Sequence, residues 1–299
     1  MVFTNRFKSN SYDTRFYGFF FRKFVGDEMK DINIILTRHG RYNDSRDKSD
    51  WSIGHITEEG KREIAEKTKK RIDRMVGNKL RDTTFLIIAS PTYWLSDKRF
   101  GRRAIETEKI TKSEIMEELK QEGITEEEAK SHFYLKPKIY TRQKTNGFSI
   151  EELREKLAEP NVYDLAPSYI EKLKVRYGGM NSGFWKELAS SEEVKQYNKN
   201  AEGPTDLRRK ITELLNYVVE WSKEYSKTQN TNICVFLITH GETMEPFIQH
   251  KKLSHITEFG YNDGIVFNVK EDGIIIKTED ELFVGPPPKV KDECILGRY

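Results

Sequence analysis

Arg38, His39 and Gly40 stand directly after the apolar run Ile32 to Thr37, so a guanidinium, an imidazole and a residue without a Cβ share one strand end. That set can hold a phosphoryl group and attack it. A guanidinium answers anionic oxygens with charge-assisted, bidentate hydrogen bonds. A neutral imidazole is a competent nucleophile, and a covalent adduct divides one difficult displacement into two easier ones. A second run, Ile233 to Thr239, ends in the same way at His240-Gly241. A third, Phe85 to Ala89, leads through Ser90-Pro91 to Arg102-Arg103-Ala104-Ile105-Glu106-Thr107, which reads as a helix start. Loops that follow neighbouring parallel strands of an α/β sheet converge on one crevice, and such a fold would bring these distant segments together.

The residue types divide the work as follows. His39 is the expected nucleophile, Arg38 and Arg103 the clamps on the phosphoryl oxygens, and His240 a further donor to the same oxygens. The backbone around Gly40 and Gly241 can approach closely because no Cβ intrudes. Each preorganised donor of this kind supplies about 3 kcal/mol of transition-state stabilisation. Such a site needs neither metal nor cofactor, and the six histidines form no HExxH or CxxC pattern.

With these elements the sequence resembles the histidine phosphatase superfamily, the phosphoglycerate mutase-like enzymes. Arg38-His39-Gly40, then Ile56-Thr57-Glu58-Glu59-Gly60 at a helix start, then Ser90 with Arg103-Ala104-Ile105-Glu106-Thr107, then Thr239-His240-Gly241 occur in the family's order. The resemblance covers Ile32 to Lys120 and Pro204 to Lys277, and within it Tyr42 and the residues around Arg103 point to a branch that includes protein phosphatases. It implies hydrolysis of a phosphomonoester through a phosphohistidine on His39, with a small phosphate ester or a phosphoprotein as substrate. A mutase-type phosphoryl transferase is the alternative; Arg41-Tyr42-Asn43-Asp44 departs from the mutase pattern. A phosphate-binding interaction protein of little activity is the other. The family's general acid commonly follows the Arg-Ala helix or the second His. Here Gly241 follows His240, and Lys138 to Gln143 offers Arg and Gln, so Glu242 is the candidate acid, with Glu106 and Glu151 behind it. Glu in a first helical turn is also favoured by the helix dipole alone.

The elements that must position these residues read as strand (about 32–37), helix (58–76), strand (84–89), helix (103–120), a long helix opening at Thr205-Asp206, the His240 strand, and a hairpin turning at Glu271-Asp272-Gly273. This alternation predicts an α/β three-layer sandwich, a mostly parallel sheet with helices on both faces. The organisation expected is an N-terminal extension (1–30), one α/β domain (31–277) with a helical insertion at about 123–203 over the site, and a C-terminal tail (278–299). Within the insertion, Lys136, Lys138, Arg142 and Lys144 could extend the positive field to a second anionic group.

The chain has 299 residues, 36% of them hydrophobic, enough for a sizeable core, and 51 basic against 48 acidic residues leave a net charge of only +3. That balance argues against a nucleic-acid partner. Two cysteines, Cys234 and Cys294, make no disulfide framework and point to a reducing, cytoplasmic location. No run approaches the 18 apolar residues of a membrane span, and the aromatic stretch Phe16 to Phe21, flanked by Arg15 and Arg22, is too short for a signal peptide, so no membrane partner is expected. The tail containing Pro286-Pro287-Pro288 can continue neither strand nor helix.

Overall fold

A computed structural model describes residues 30–45, 50, 52–92, 101–142, 146–250, 260–271 and 273–278. The N-terminal aromatic stretch, Lys144, the proline-rich tail and Cys294 lie outside the described residues. The central sheet has five strands in the order β2-β5-β1-β6-β7. These are β1 (Ile32–Arg38), β2 (Thr83–Ala89), β5 (Asn232–Thr239), β6 (Gly264–Val269) and β7 (Ile274–Thr278); β3 (Lys138–Ile139) and β4 (Phe148–Ser149) form a separate small hairpin. β2, β5 and β1 run parallel, and the β6–β7 hairpin closes one side antiparallel to β1.

Strands buried on both faces are rich in apolar residues, which explains these runs; Asn33, buried within β1, gives its side-chain amide to the Met75 carbonyl at 3.0 Å. Ile34 and Leu36, with Leu86, Val235 and Leu237, face the long helix α9 (Pro204–Gln229) and α10 (Gly241–His250). Ile35, Phe85, Cys234 and Phe236 face the opposite way, onto α1 (Glu58–Met75) and α2 (Arg103–Gln121). The result is the α/β three-layer sandwich expected from the alternation.

Local chemistry sets the helix ends. Thr57 caps α1 by accepting from the Gly60 amide. The expected cap of α9 at Thr205 gives way to Gly203. Pro204 takes the first helical position, where its missing N–H is no loss, and the Asp206 carboxylate reaches back to the Gly203 amide at 3.0 Å. Thr205 instead gives its own amide to Glu192, at 2.7 Å.

The insertion is helical. It holds α3 (Glu126–Ser131), α4 (Ile150–Lys156), α5 (Val162–Leu165), α6 (Pro167–Tyr177), α7 (Ser182–Ser190) and α8 (Val194–Tyr197). From Val162 to Ala201 it has a small apolar core of its own, around Tyr169, Leu173 and Phe184. The β3–β4 hairpin lies on α9, where the Tyr217 hydroxyl donates to the Ile139 carbonyl at 2.8 Å. Among the described residues no helix is long and apolar enough to cross a membrane.

Candidate functional site

Register brings the site together. Arg38 lies opposite Thr239 at the carboxyl ends of β1 and β5, and Ala89 of β2 lies opposite Ile238. The ladder continues one residue further on each side, with the His39 amide on Thr239 O at 2.9 Å and the Ser90 amide on Ile238 O at 2.8 Å. His39, His240 and Ser90 therefore emerge side by side. The two imidazole rings are 5.0 Å apart between centroids, and both are buried. Arg103, at the start of α2, is buried beside them.

His39 Nδ1 lies 2.8 Å from the Gly40 carbonyl, which can only accept, so Nδ1 carries the proton and Nε2 keeps its lone pair. Arg103 Nε donates to that Nε2 at 2.9 Å. The Gly40 amide is already given to Thr107 Oγ at 3.0 Å, so what Gly40 contributes at this point is its carbonyl. Thr107 in turn donates to Arg103 O, which joins the first turn of α2 to the His39 loop. A Cβ on Gly241 would come no nearer than 3.6 Å to the Arg38 guanidinium, ordinary van der Waals contact.

The structure adds a carboxylate that sequence reasoning did not single out. Glu159, just past α4, pairs with Arg103 Nη2 and lies 2.9 Å from His240 Nδ1. Ser90 Oγ lies 2.9 Å from His240 Nε2 and 2.8 Å from Thr92 Oγ, and Thr92 Oγ accepts from the Glu159 amide at 3.3 Å. His39, Arg103, Glu159, His240, Ser90 and Thr92 thus form one connected network. Nothing in the spacing of the motifs marks Glu159. The one sequence cue is Pro160, which keeps the residue before it out of helical conformation and so places Glu159 in the turn that follows α4.

The other carboxylates are placed differently. Glu242 is half-buried in the first turn of α10, near enough for its charge to act on His240, Arg103, Tyr42 and Tyr163. Glu106 is engaged in holding the preceding turn, with His55 Nδ1 at 2.6 Å and the Ile56 amide at 2.8 Å. Glu151 is exposed in the first turn of α4. Of the expected second anion group, Lys136 and Lys138 are exposed, and the Arg142 amide is held by Glu224 of α9 at 3.1 Å.

Burial governs the electrostatics. Desolvation, then the charges of Arg103, His240 and Arg38, hold the His39 imidazolium well below the ordinary histidine range. Desolvation and Arg103 do the same to His240, with Glu242 opposing. Both rings are accordingly neutral at pH 7. Three tyrosines complete the surroundings. Tyr42 and Tyr261 stand against His39 at centroid distances of 5.2 and 6.0 Å, and Tyr163 enters from α5. Among the described residues no group of three or more His, Cys, Asp or Glu is arranged to hold a metal ion.

No protein-family profile and no curated protein sequence matches the chain. Among solved structures it is similar to phosphoglycerate mutase from Bacillus anthracis, at 17% identity over 86% of this chain and 96% of that one, with a TM-score of 0.45. It is similar to a mycobacterial glucosyl-3-phosphoglycerate phosphatase at 13% identity over 83% and 97%, TM-score 0.44. A third similarity is to phosphoserine phosphatase from Entamoeba histolytica, at 16% identity over 83% and 95%, TM-score 0.35.

Proposed function

We propose that the chain is a histidine phosphatase, a metal-independent phosphomonoester hydrolase of the phosphoglycerate mutase-like superfamily, working through a phosphohistidine on His39. The observation that carries this reading is the state of His39. It is neutral, with its proton fixed on Nδ1 by the Gly40 carbonyl and its Nε2 lone pair turned toward Arg103 in a pocket shared with a second buried imidazole.

Nε2 attacks phosphorus and the ester P–O bond breaks. Arg38, Arg103 and the Nδ1 side of His240 meet the charge on the three equatorial oxygens. Glu159 is the proposed acid, giving its proton to the departing alkoxide; Glu242 is the second candidate. Water then attacks the phosphohistidine, the same carboxylate takes the water's proton, and the P–N bond breaks to return neutral His39 and inorganic phosphate. The Glu159 carboxylate pairs with Arg103 and faces His240, the partners proposed for the phosphoryl group, so substrate must displace it, and the displaced carboxylate takes a proton from solvent before it serves as the acid.

Hydrolysis is favoured over mutase-type transfer. The segment after Gly40 is engaged elsewhere, Arg41 by Glu63 of α1 at 3.0 Å and the Asn43 side chain by Asp50 of its own loop at 2.9 Å, rather than offered to a sugar acid. We read the substrate as a phosphate ester, small or protein-borne. The location we read as cytoplasmic, from a sequence whose two cysteines make no disulfide framework.

The test is hydrolysis of p-nitrophenyl phosphate with EDTA present. The wild type should turn over and form an acid-labile phosphohistidine, and His39→Ala should do neither. Equal activity in the two proteins overturns the assignment of His39. Inactivity of both, with inorganic phosphate still raising the melting temperature, identifies a phosphate-binding protein instead.

A further inference from the structure

We propose that Tyr42 and Tyr261 form a selecting wall for aryl phosphates, esters whose leaving group is a planar, uncharged aromatic alcohol; this rests on the reading of the His39 pocket as a phosphoryl site. The two rings flank the nucleophile from different parts of the chain. Tyr42 meets the His39 ring nearly edge-on, at 67° and 5.2 Å, and Tyr261 at 42° and 6.0 Å. They meet each other at 87° and 5.7 Å. Neither is held in place by the other alone. Tyr42 bridges to Ile56, and Tyr261 sits in a turn whose next residue, Asn262, has φ 59° and donates its amide to the His39 carbonyl at 3.0 Å.

The guanidinium groups proposed to take the phosphoryl oxygens also stack on these rings. Arg103 lies 4.7 Å from the Tyr42 centroid, and Arg38 lies 4.6 Å from that of Tyr261. A phosphoryl group held by the two cations is therefore delivered between two aromatic surfaces. Tyr42 is uncharged, since burial pushes its phenol up to about 12. The field beyond the phosphoryl pocket does not favour a second anion on the substrate: Glu242 acts on the same groups, and Arg41, the next cation along, is already met by Glu63 at 3.0 Å and Glu59 at 3.8 Å. A neutral aromatic group suits this setting, because aromatic rings prefer edge-to-face or offset contacts at centroid separations of about 4.5–7 Å, each giving roughly two- to tenfold in affinity.

The test separates binding from turnover. Phenyl phosphate and cyclohexyl phosphate, alike in charge and similar in size, are titrated calorimetrically into His39→Ala, which lacks the nucleophile but keeps the pocket. Phenyl phosphate should bind at least about threefold more tightly. That advantage should shrink in His39→Ala/Tyr261→Leu and His39→Ala/Tyr42→Leu and persist in His39→Ala/Tyr261→Phe, with inorganic phosphate binding to each variant reporting an intact pocket. Equal affinity for the two esters, or an advantage unchanged by both leucine variants, overturns the proposal. The ring preference without any phosphohistidine in the wild type would sink the hydrolase reading and keep the aryl subsite; phosphohistidine without the preference would do the reverse.

Discussion

At the scale of single residues, Glu159 carries two opposed duties, and they predict an unusual pair of effects. As an internal anion on Arg103 and near His240 it competes with phosphate for the same donors. As the proposed acid it protonates the leaving oxygen. Glu159→Gln keeps the shape and removes the charge, so inorganic phosphate should bind more tightly than to the wild type while turnover falls. General acid catalysis is worth about 10²–10⁴-fold, and the loss should be largest for alkyl phosphates, whose alkoxides leave poorly, and smallest for p-nitrophenyl phosphate. Calorimetry with phosphate and a leaving-group series measured on one preparation check both halves. Glu242→Gln should leave that leaving-group dependence as it is in the wild type. If it steepens the dependence and Glu159→Gln does not, the acid is Glu242 and the sequence-based choice stands.

The elements differ in how legibly they are written. β1, β2 and β5 are readable because burial on both faces favours long apolar runs, and their shared register then puts Arg38, His39, Ser90 and His240 together. Arg103 follows from the strand-loop-helix order. Glu159 and Tyr261 do not follow from any such pattern, because their positions depend on how the insertion and the turn before β6 pack onto the strand ends. The device that fixes that turn is Arg71, a charged residue on the core-facing stripe of α1 and almost completely buried. Its Nη2 donates to the Asn262 carbonyl at 2.6 Å and to Thr37 Oγ at 3.1 Å, and its Nη1 to Asn262 Oδ1 at 3.3 Å. Lys67, one turn earlier, holds Asp263 at 2.5 Å. Arg71→Met fills similar space without donors and strands buried acceptors at about 1–3 kcal/mol each. It should lower the urea midpoint substantially and, by loosening the Tyr261 turn, weaken binding of phenyl phosphate more than of inorganic phosphate. An unchanged midpoint would mean that the turn is held by Lys67 and the β6 ladder alone.

For the molecule as a whole, gathering two neutral histidines into one buried pocket ties stability to pH. His39 and His240 both have imidazolium pKa values driven well below the ordinary 6.5, chiefly by desolvation. In the unfolded chain each regains a value near that ordinary one. Above it both states are neutral and these groups add no pH dependence. Below it the unfolded chain binds protons that the folded chain refuses, so stability falls as the pH drops, at up to about 1.4 kcal/mol per pH unit for each ring. Loss ends only at the depressed folded values. The window from pH 6.5 to 5.5 lies above the usual carboxylate range, which isolates the histidine contribution. Urea unfolding of the wild type should therefore show a fall in stability across that interval, and His39→Gln, with one of the two rings removed, a fall roughly half as steep. Parallel pH profiles for wild type and His39→Gln would mean that the ring takes up its proton as readily in the folded protein as outside it, and the neutral nucleophile would go with it.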